Sequence, residues 1–297
     1  MTAFTYEMPR DDRGFSMRFD PCTRQPKSWK EETYAAARAI ANKTKKHIWV
    51  CFSGGIDSEV VCRAFYDQGI HFSVLTLEHT AGTNEHDIKY ATKWCKARAI
   101  EQKIIRIDIQ KFFHDEIPEY TDDYIAGQPF RYLQIKLLEL VESLDGFAVL
   151  GGGEQLYRID SPKPDSTISD VYLEFSVDYA TALEWCRQNE TYHEPYFFFS
   201  TPELCLSFLR LPLVQFAIDH PNSVFTHFGN KYTFKRLVYL SVWTDLELRY
   251  KYHGFENVME PLNRSAEMLS AKFGARLQPY RLPVPAFTMQ LTGDLGR

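Results

Sequence analysis

The sequence predicts an α/β protein, with a parallel sheet of strands alternating with helices, followed by a mainly helical C-terminal part. Three observations predict it. Short strand-like runs at 47–52, 71–77, 103–107 and 147–150 recur between segments whose apolar residues have helical spacing. That alternation is the mark of parallel strands joined by right-handed crossovers. The run 47–52 is apolar nearly throughout, as a strand covered on both faces requires. Past about residue 171 the alternation gives way to helical segments.

Taken in order, residues 1–26 show no periodicity and are expected to wrap onto the core. Tyr34, Ala37, Ile40 and Ala41 form the apolar stripe of a helix over 28–44. The first strand is 47–52. Val60, Val61, Ala64 and Phe65 give the next helix, 58–68, its inward face, and Gly69 ends it in the manner of a C-terminal glycine. Strand two, 71–77, follows at once. Ile88, Ala91, Trp94, Cys95 and Ala99 mark a crossover helix over 84–101, ahead of strand three at 103–107. Residues 109–117 read as a short helix. Leu133, Leu137, Leu140, Val141 and Leu144 make 131–144 strongly amphipathic, and 147–150 is the fourth strand.

Residues 171–177 alternate like an edge strand, and Asp178 is placed to cap a helix running to 188. Thr201, Pro202 and Glu203 open a helix over 204–218 that Pro212 kinks or breaks. Two more helices are expected at 230–243 and 264–273, and Pro279, Pro283 and Pro285 predict a tail extended over the surface. The chain thus divides into an N-terminal extension and helix (1–46), an α/β core (47–170) and a mainly helical part (171–297).

Thirty-four Lys and Arg stand against 39 Asp and Glu in 297 residues, a net charge of −5, so no general basic field indicates a nucleic-acid partner. The run Lys43, Lys45 and Lys46 reads as a solvated helix end. No apolar run reaches the roughly 18 residues that span a bilayer, and the acidic start at Asp11 and Asp12 is no signal peptide. A cytoplasmic protein without a membrane partner is expected. The six cysteines form no Cys-x-x-Cys pair and read as buried free thiols.

The segment from Val50 to Ser58 carries the chemistry. A buried strand runs into Ser53-Gly54-Gly55-Ile56-Asp57-Ser58 and then a helix. Glycines there let successive N–H groups converge on an anion, the two serines add hydroxyl donors, and Ser58 is expected to open a helix whose positive end favours phosphate. Asp57 makes sense beside phosphates as a magnesium ligand. An ordinary Gly-Gly turn is the plain alternative. No Gly-x-x-x-x-Gly-Lys-Ser/Thr string is present.

A second loop, Gly151-Gly152-Gly153-Glu154, follows the fourth strand. Folding alone does not ask for three glycines there, whereas close approach to a ligand does, and Glu154 could complete the magnesium shell. A flexible connection into 160–169 is the alternative. Lys231 and Lys235 lie four apart on one helix face, and Arg249 and Lys251 follow. Cations of this kind stabilise charge that builds on a phosphate group. A solvated basic face is the plain reading of the same lysines.

The Ser-Gly-Gly-x-Asp-Ser loop resembles that of the PP-loop ATP pyrophosphatases, the adenine nucleotide alpha hydrolase-like superfamily. The order of the later motifs is similar to the synthetase domain of asparagine synthetases and beta-lactam synthetases: 53–58, then 151–156, then 235–238, then a basic segment in 249–255 before Gly254-Phe255. The resemblance covers 47–256. It implies a Rossmann-like adenine nucleotide alpha hydrolase (HUP) fold and ATP with Mg2+. By carry-over Ser53, Gly54, Gly55, Ile56, Asp57 and Ser58 would hold pyrophosphate, with Gly151, Gly152 and Gly153 nearby. Asp57 and Glu154 would bind the metal, Lys235 and more weakly Lys251 would face the phosphates, and the backbone of Leu75, Thr76 and Leu77 would contact adenine.

The second loop departs from the family, being one residue shorter with Gly152 in place of a glutamate, and Thr2 replaces the glutaminase cysteine. These departures argue against aspartate as the acceptor, and nitrogen would come from ammonia, another subunit or an amine. The expected activity is AMP-forming ligation: an acceptor carboxylate or carbonyl oxygen is adenylated, then attacked by an amine or ammonia. Other PP-loop chemistry, on tRNA, nucleobases or sulfonucleotides, is the runner-up, though it usually brings paired or C-terminal cysteines and none follows Cys205. A non-catalytic nucleotide sensor is the third reading. A small-molecule or nucleobase acceptor is implied, and a homodimer would be ordinary for the superfamily. His79 and His227 could line a pocket but read first as core or surface residues.

Overall fold

A computed structural model describes residues 2–9, 14–153, 157–159, 171–220, 231–247, 249 and 258–293. The N-terminal segment docks on the core through a hairpin, β1 (Phe4–Glu7) and β2 (Ser16–Phe19), paired antiparallel with Phe4 opposite Phe19. The Phe19 ring packs on Phe175, Phe199 and Phe287 at 5.6, 5.2 and 4.7 Å. Strands of four residues are too short to display a period, so sequence alone left them unmarked.

Helix α1 (Trp29–Lys43) begins at a capping box, in which Ser28 accepts from the Glu31 amide and the Glu31 side chain accepts from the Ser28 amide. Its end is the basic run, where Lys46 pairs with Glu142 at 2.9 Å. The central sheet consists of β3 (His47–Cys51), β4 (Ser73–His79), β5 (Gln102–Ile107) and β6 (Gly146–Leu150), all parallel, in the order β5-β4-β3-β6. The fold class is α/β with a Rossmann-like sheet order. The direction of winding reverses between β3 and β6, and in such sheets the crevice beyond the carboxyl ends of those strands is the ligand position.

Both faces of this sheet are covered. Ile48, Val50, Phe52, Phe147 and Val149 join Ala36 and Ile40 of α1 and Val60 and Ala64 of α2 (Ile56–Asp67), with Ala91 and Trp94 of α3 (Glu85–Ala97). Trp49, Cys51, Ala148 and Leu150 face α4 (Ile109–Lys111), α5 (Ile117–Tyr120) and α6 (Phe130–Glu142). The expected helix over 109–117 runs on to Tyr120 and contains a π turn, Phe112–Glu116. The six cysteines are all free and buried, as expected.

A second, antiparallel sheet contains β7 (Tyr157–Ile159), β8 (Val171–Phe175) and β9 (Tyr280–Pro283) in the order β7-β8-β9. Strand β8, expected at an edge, is therefore central, because the proline-rich tail does not run loose. Pro283 ends β9 and Pro285 lies in the first turn of α12 (Val284–Thr292), positions where a missing N–H costs nothing. Val284, Phe287 and Leu291 bury that helix.

The helices of the C-terminal part are α7 (Thr181–Gln188), α8 (Pro202–Leu209), α9 (Pro212–Asp219), α10 (Lys231–Val242) and α11 (Met259–Phe273). Pro212 breaks the helix as expected, and α11 starts five residues before the expected Arg264, with Pro261 in its first turn. Asp178 does not cap α7. It lies in a 3-10 turn, Val177–Tyr179, and its carboxylate accepts from the Gly127 amide at 2.7 Å. Among the described residues no helix is long and apolar enough to cross a membrane.

Candidate functional site

The carboxyl ends of β3 and β6 carry the two glycine loops. Gly54 sits at φ +98°, a conformation open to glycine, and a Cβ there would lie 2.0 Å from the Asp87 carbonyl oxygen. The loop thus presses on the first turn of α3. Gly55 follows in extended conformation as the N-cap of α2, and no side chain caps the helix. Helix α2 begins at Ile56, two residues before the expected Ser58, so Ile56, Asp57 and Ser58 all belong to its first turn, whose amides lack a side-chain cap. An uncapped turn at the switch point of a parallel sheet is an anion-binding arrangement.

The serine hydroxyls bond locally. Ser58 Oγ donates to the Gly55 carbonyl at 3.1 Å, Ser53 Oγ accepts from the Gly55 amide at 3.3 Å, and the two hydroxyls lie 3.2 Å apart. Ser58 is buried and Ser53 exposed, so Ser53 is the hydroxyl at the open side of the loop. Asp57 projects from the second position of α2. Its Oδ2 accepts from Lys235 Nζ at 2.6 Å, and its Oδ1 is buried with no hydrogen-bond partner. Lys235 and Asp57, 178 positions apart, are thereby brought together.

Gly151 lies against the same turn, where a Cβ would be 3.1 Å from the Ser58 amide nitrogen. The expectation that only a ligand explains three glycines is corrected for the other two. A Cβ on Gly152 would meet the Pro195 carbonyl at 2.4 Å, and one on Gly153, at φ +84°, the Phe199 ring at 2.9 Å. Residues 194–196 run beside β6, with Leu150 N donating to Glu194 O and Glu194 N to Ala148 O, both at 2.9 Å. Packing of that segment against the loop gives Gly152 and Gly153 a structural reason. Glu154 and Lys251 lie outside the described residues, as do His227 and the Gly254-Phe255 pair.

Leu75, Thr76 and Leu77 fall inside β4, which continues to His79, two residues beyond the expected end. Leu75 O accepts from Phe52 N at 2.9 Å, and Thr76 Oγ1 donates to Phe52 O at 2.9 Å, which ties β4 to the start of the first loop. Asn84 then continues the edge of β4, its amide donating to Leu77 O and its carbonyl accepting from His79 N, both at 2.9 Å. His79 is buried, pairs with Thr83 Oγ1 at 2.9 Å, and burial pulls its imidazole down to about 4. It sits in the core as a neutral histidine.

Sequence reasoning missed a buried ion network two residues from Asp57. Glu59, 2 % exposed, accepts from Arg63 at 2.8 Å and from Arg249, while Arg63 also holds Asp245 at 2.7 Å. Arg249 lies over the Tyr90 ring of α3 at 4.7 Å. Arg249, expected among phosphate-facing cations, instead anchors the stretch after α10 to α2 and α3. The Glu59–Arg63 spacing of four was the sequence signal. Among the described residues no three His, Cys, Asp or Glu side chains form a metal cage. A magnesium ion does not need one, since it is held by one or two carboxylates plus substrate phosphates and keeps several waters. The partnerless, buried Oδ1 of Asp57 fits that role.

No protein-family model matches the chain, and no curated protein matches it. Among solved structures it is similar to NMN synthetase from Francisella tularensis, at 11% identity over 85% of this chain and 97% of that one, TM-score 0.37. It is also similar to an NH3-dependent NAD synthetase from Campylobacter jejuni, at 17% identity over 82% and 93% of the two chains, TM-score 0.37. A third, described as a predicted subunit of tRNA methyltransferase from Methanocaldococcus jannaschii, has 18% identity over 54% and 72%, TM-score 0.34.

Proposed function

We propose that the protein is an ATP-dependent, AMP-forming ligase of the asparagine synthetase-like kind. Its acceptor is a small molecule or nucleobase bearing a carboxylate or carbonyl oxygen. The observation that carries this reading is the uncapped first turn of α2, set against both glycine loops, with Lys235 on one oxygen of Asp57 and nothing on the other.

In this reading the amides of 54–58 bind the pyrophosphate end of ATP, with Ser53 adding a hydroxyl and the open end of α2 adding its dipole. The acceptor oxygen attacks the α-phosphorus, the bond to the bridging oxygen breaks, and pyrophosphate leaves. An amine or ammonia then displaces AMP from the adenylate and loses a proton. Magnesium, when bound, neutralises charge on the phosphates. Asp57 would hold it, with Glu154 as the second acid from the sequence, and Lys235 offers a compact cation beside the leaving group. Leu75, Thr76 and Leu77 form the wall on the adenine side, and Lys251 is a further cation by sequence order.

Acceptor-stimulated pyrophosphate release tests the proposal. Asp57→Ala should abolish it, whereas Arg187→Ala, on the surface of α7, should not. Tight ATP binding with no release for any carboxylate or carbonyl acceptor would overturn catalysis and leave a nucleotide sensor.

A further inference from the structure

The two oxygens of Asp57 have different fates. Oδ2 is in contact with the Lys235 ammonium at 2.6 Å, and both side chains are largely shielded, 25% and 10% exposed. Oδ1 is buried with no hydrogen bond. Lys235 stands on α10, where Val238 and Tyr239 are buried and Trp243 is buried just past its end, with its ammonium 5.7 Å from the centre of the Tyr239 ring. The carboxylate and ammonium together are neutral. A divalent ion taking Oδ1 by itself would share one carboxylate with a cation already in place, where burial limits screening by water. The positive end of α2 adds to that repulsion. A polyphosphate reverses the balance, because its charges face the ion, the ammonium and the helix end at once.

From this, and resting on the ATP reading above, we infer that Lys235 makes metal binding at Asp57 conditional on the nucleotide. The divalent ion enters as its polyphosphate complex, and the Asp57–Lys235 pair rejects the bare ion. Lys235 is on this account a selectivity element for the loaded nucleotide as well as a phosphate-facing cation.

Mn2+ titration followed by electron paramagnetic resonance, with and without α,β-methylene ATP, tests the inference. Wild-type protein should take up Mn2+ with the analogue and show no tight site without it. Lys235→Met should gain nucleotide-independent Mn2+ affinity, by about tenfold or more from removal of one adjacent charge, and Asp57→Asn in that background should remove the gain. Lys235→Arg, which keeps the charge and guards against a folding defect in the methionine variant, should behave as wild type. Uptake by wild type with the analogue, but no gain in Lys235→Met, overturns the inference and leaves the ATP reading standing. No uptake by wild type even with the analogue overturns both.

Discussion

Replacing Glu194 with glutamine should stabilise the protein at pH 8 and leave it nearly unchanged near pH 4.5. Glu194 lies beside the end of β6, 1% exposed, with Oε1 lacking a hydrogen-bond partner. Burial pushes its carboxyl from 4.5 up to about 7, against a smaller pull from Lys43. Between those values the folded chain binds more protons than the unfolded chain, so stability falls as pH rises across the window. The contribution is intact below pH 4.5 and lost above about pH 7. The gap, 7 − 4.5 = 2.5, at about 1.36 kcal/mol per unit corresponds to a cost of about 3 kcal/mol at pH 8. Glutamine keeps the shape without the charge, and the melting temperature at pH 8 should rise by about 5 °C. Two buried histidines act in the opposite sense. Burial pulls His79 and His193 from 6.5 down to about 4, so stability from them is lost as pH falls through that range. In wild type the Glu194 gain on acidification partly offsets this loss, and Glu194→Gln should expose it as a steeper decline below pH 6. Thermal unfolding by circular dichroism from pH 4.5 to 8 reads both effects. Equal shifts at both ends, or destabilisation at pH 8, would refute the reasoning.

Gly54→Ala and Gly55→Ala should separate clearly in urea unfolding. The first meets the Asp87 carbonyl at a positive φ and should cost more than about 2 kcal/mol, while the second finds only Ser53 Oγ at 3.4 Å and should stay within about 1 kcal/mol. Arg249→Met leaves Glu59 with Arg63 alone and should cost about 2 kcal/mol or more. Adding Glu59→Gln should recover part of that loss, and a double-mutant cycle showing no coupling would contradict the network. Ser265→Ala removes the hydroxyl that donates to the Phe113 carbonyl at 2.7 Å. Pro118, five residues on, has no N–H to replace it in the π turn, so a loss of about 1 kcal/mol is expected in thermal melts.

Much of the fold was legible because it depends on local pattern. The runs 47–52 and 147–150 are buried strands, Gly69 does end α2, Pro212 does divide α8 from α9, and the cysteines are buried thiols. The loop at Ser53–Gly55 was legible for the same reason, since glycines after a strand and before a helix state a backbone requirement. Element boundaries were less so. Asn84 acts as an extension of β4, and the side chain of Asp178 serves Gly127, choices made by partners distant in sequence. The proline-rich tail was misread because prolines at the ends of elements look, in sequence, like prolines that prevent them.

What the sequence by itself determined is the order of the central strands with their helices and the glycine turn between β3 and α2, because hydrophobic period and glycine placement are local properties. Only the tertiary structure decided which oxygen of Asp57 is taken by Lys235, why Gly152 and Gly153 must lack a side chain, and where β8 sits in its sheet. Those outcomes depend on atoms brought within a few ångströms by chain closure across some 40 to 180 positions, and contact at that range follows from packing, which no local window of residues contains.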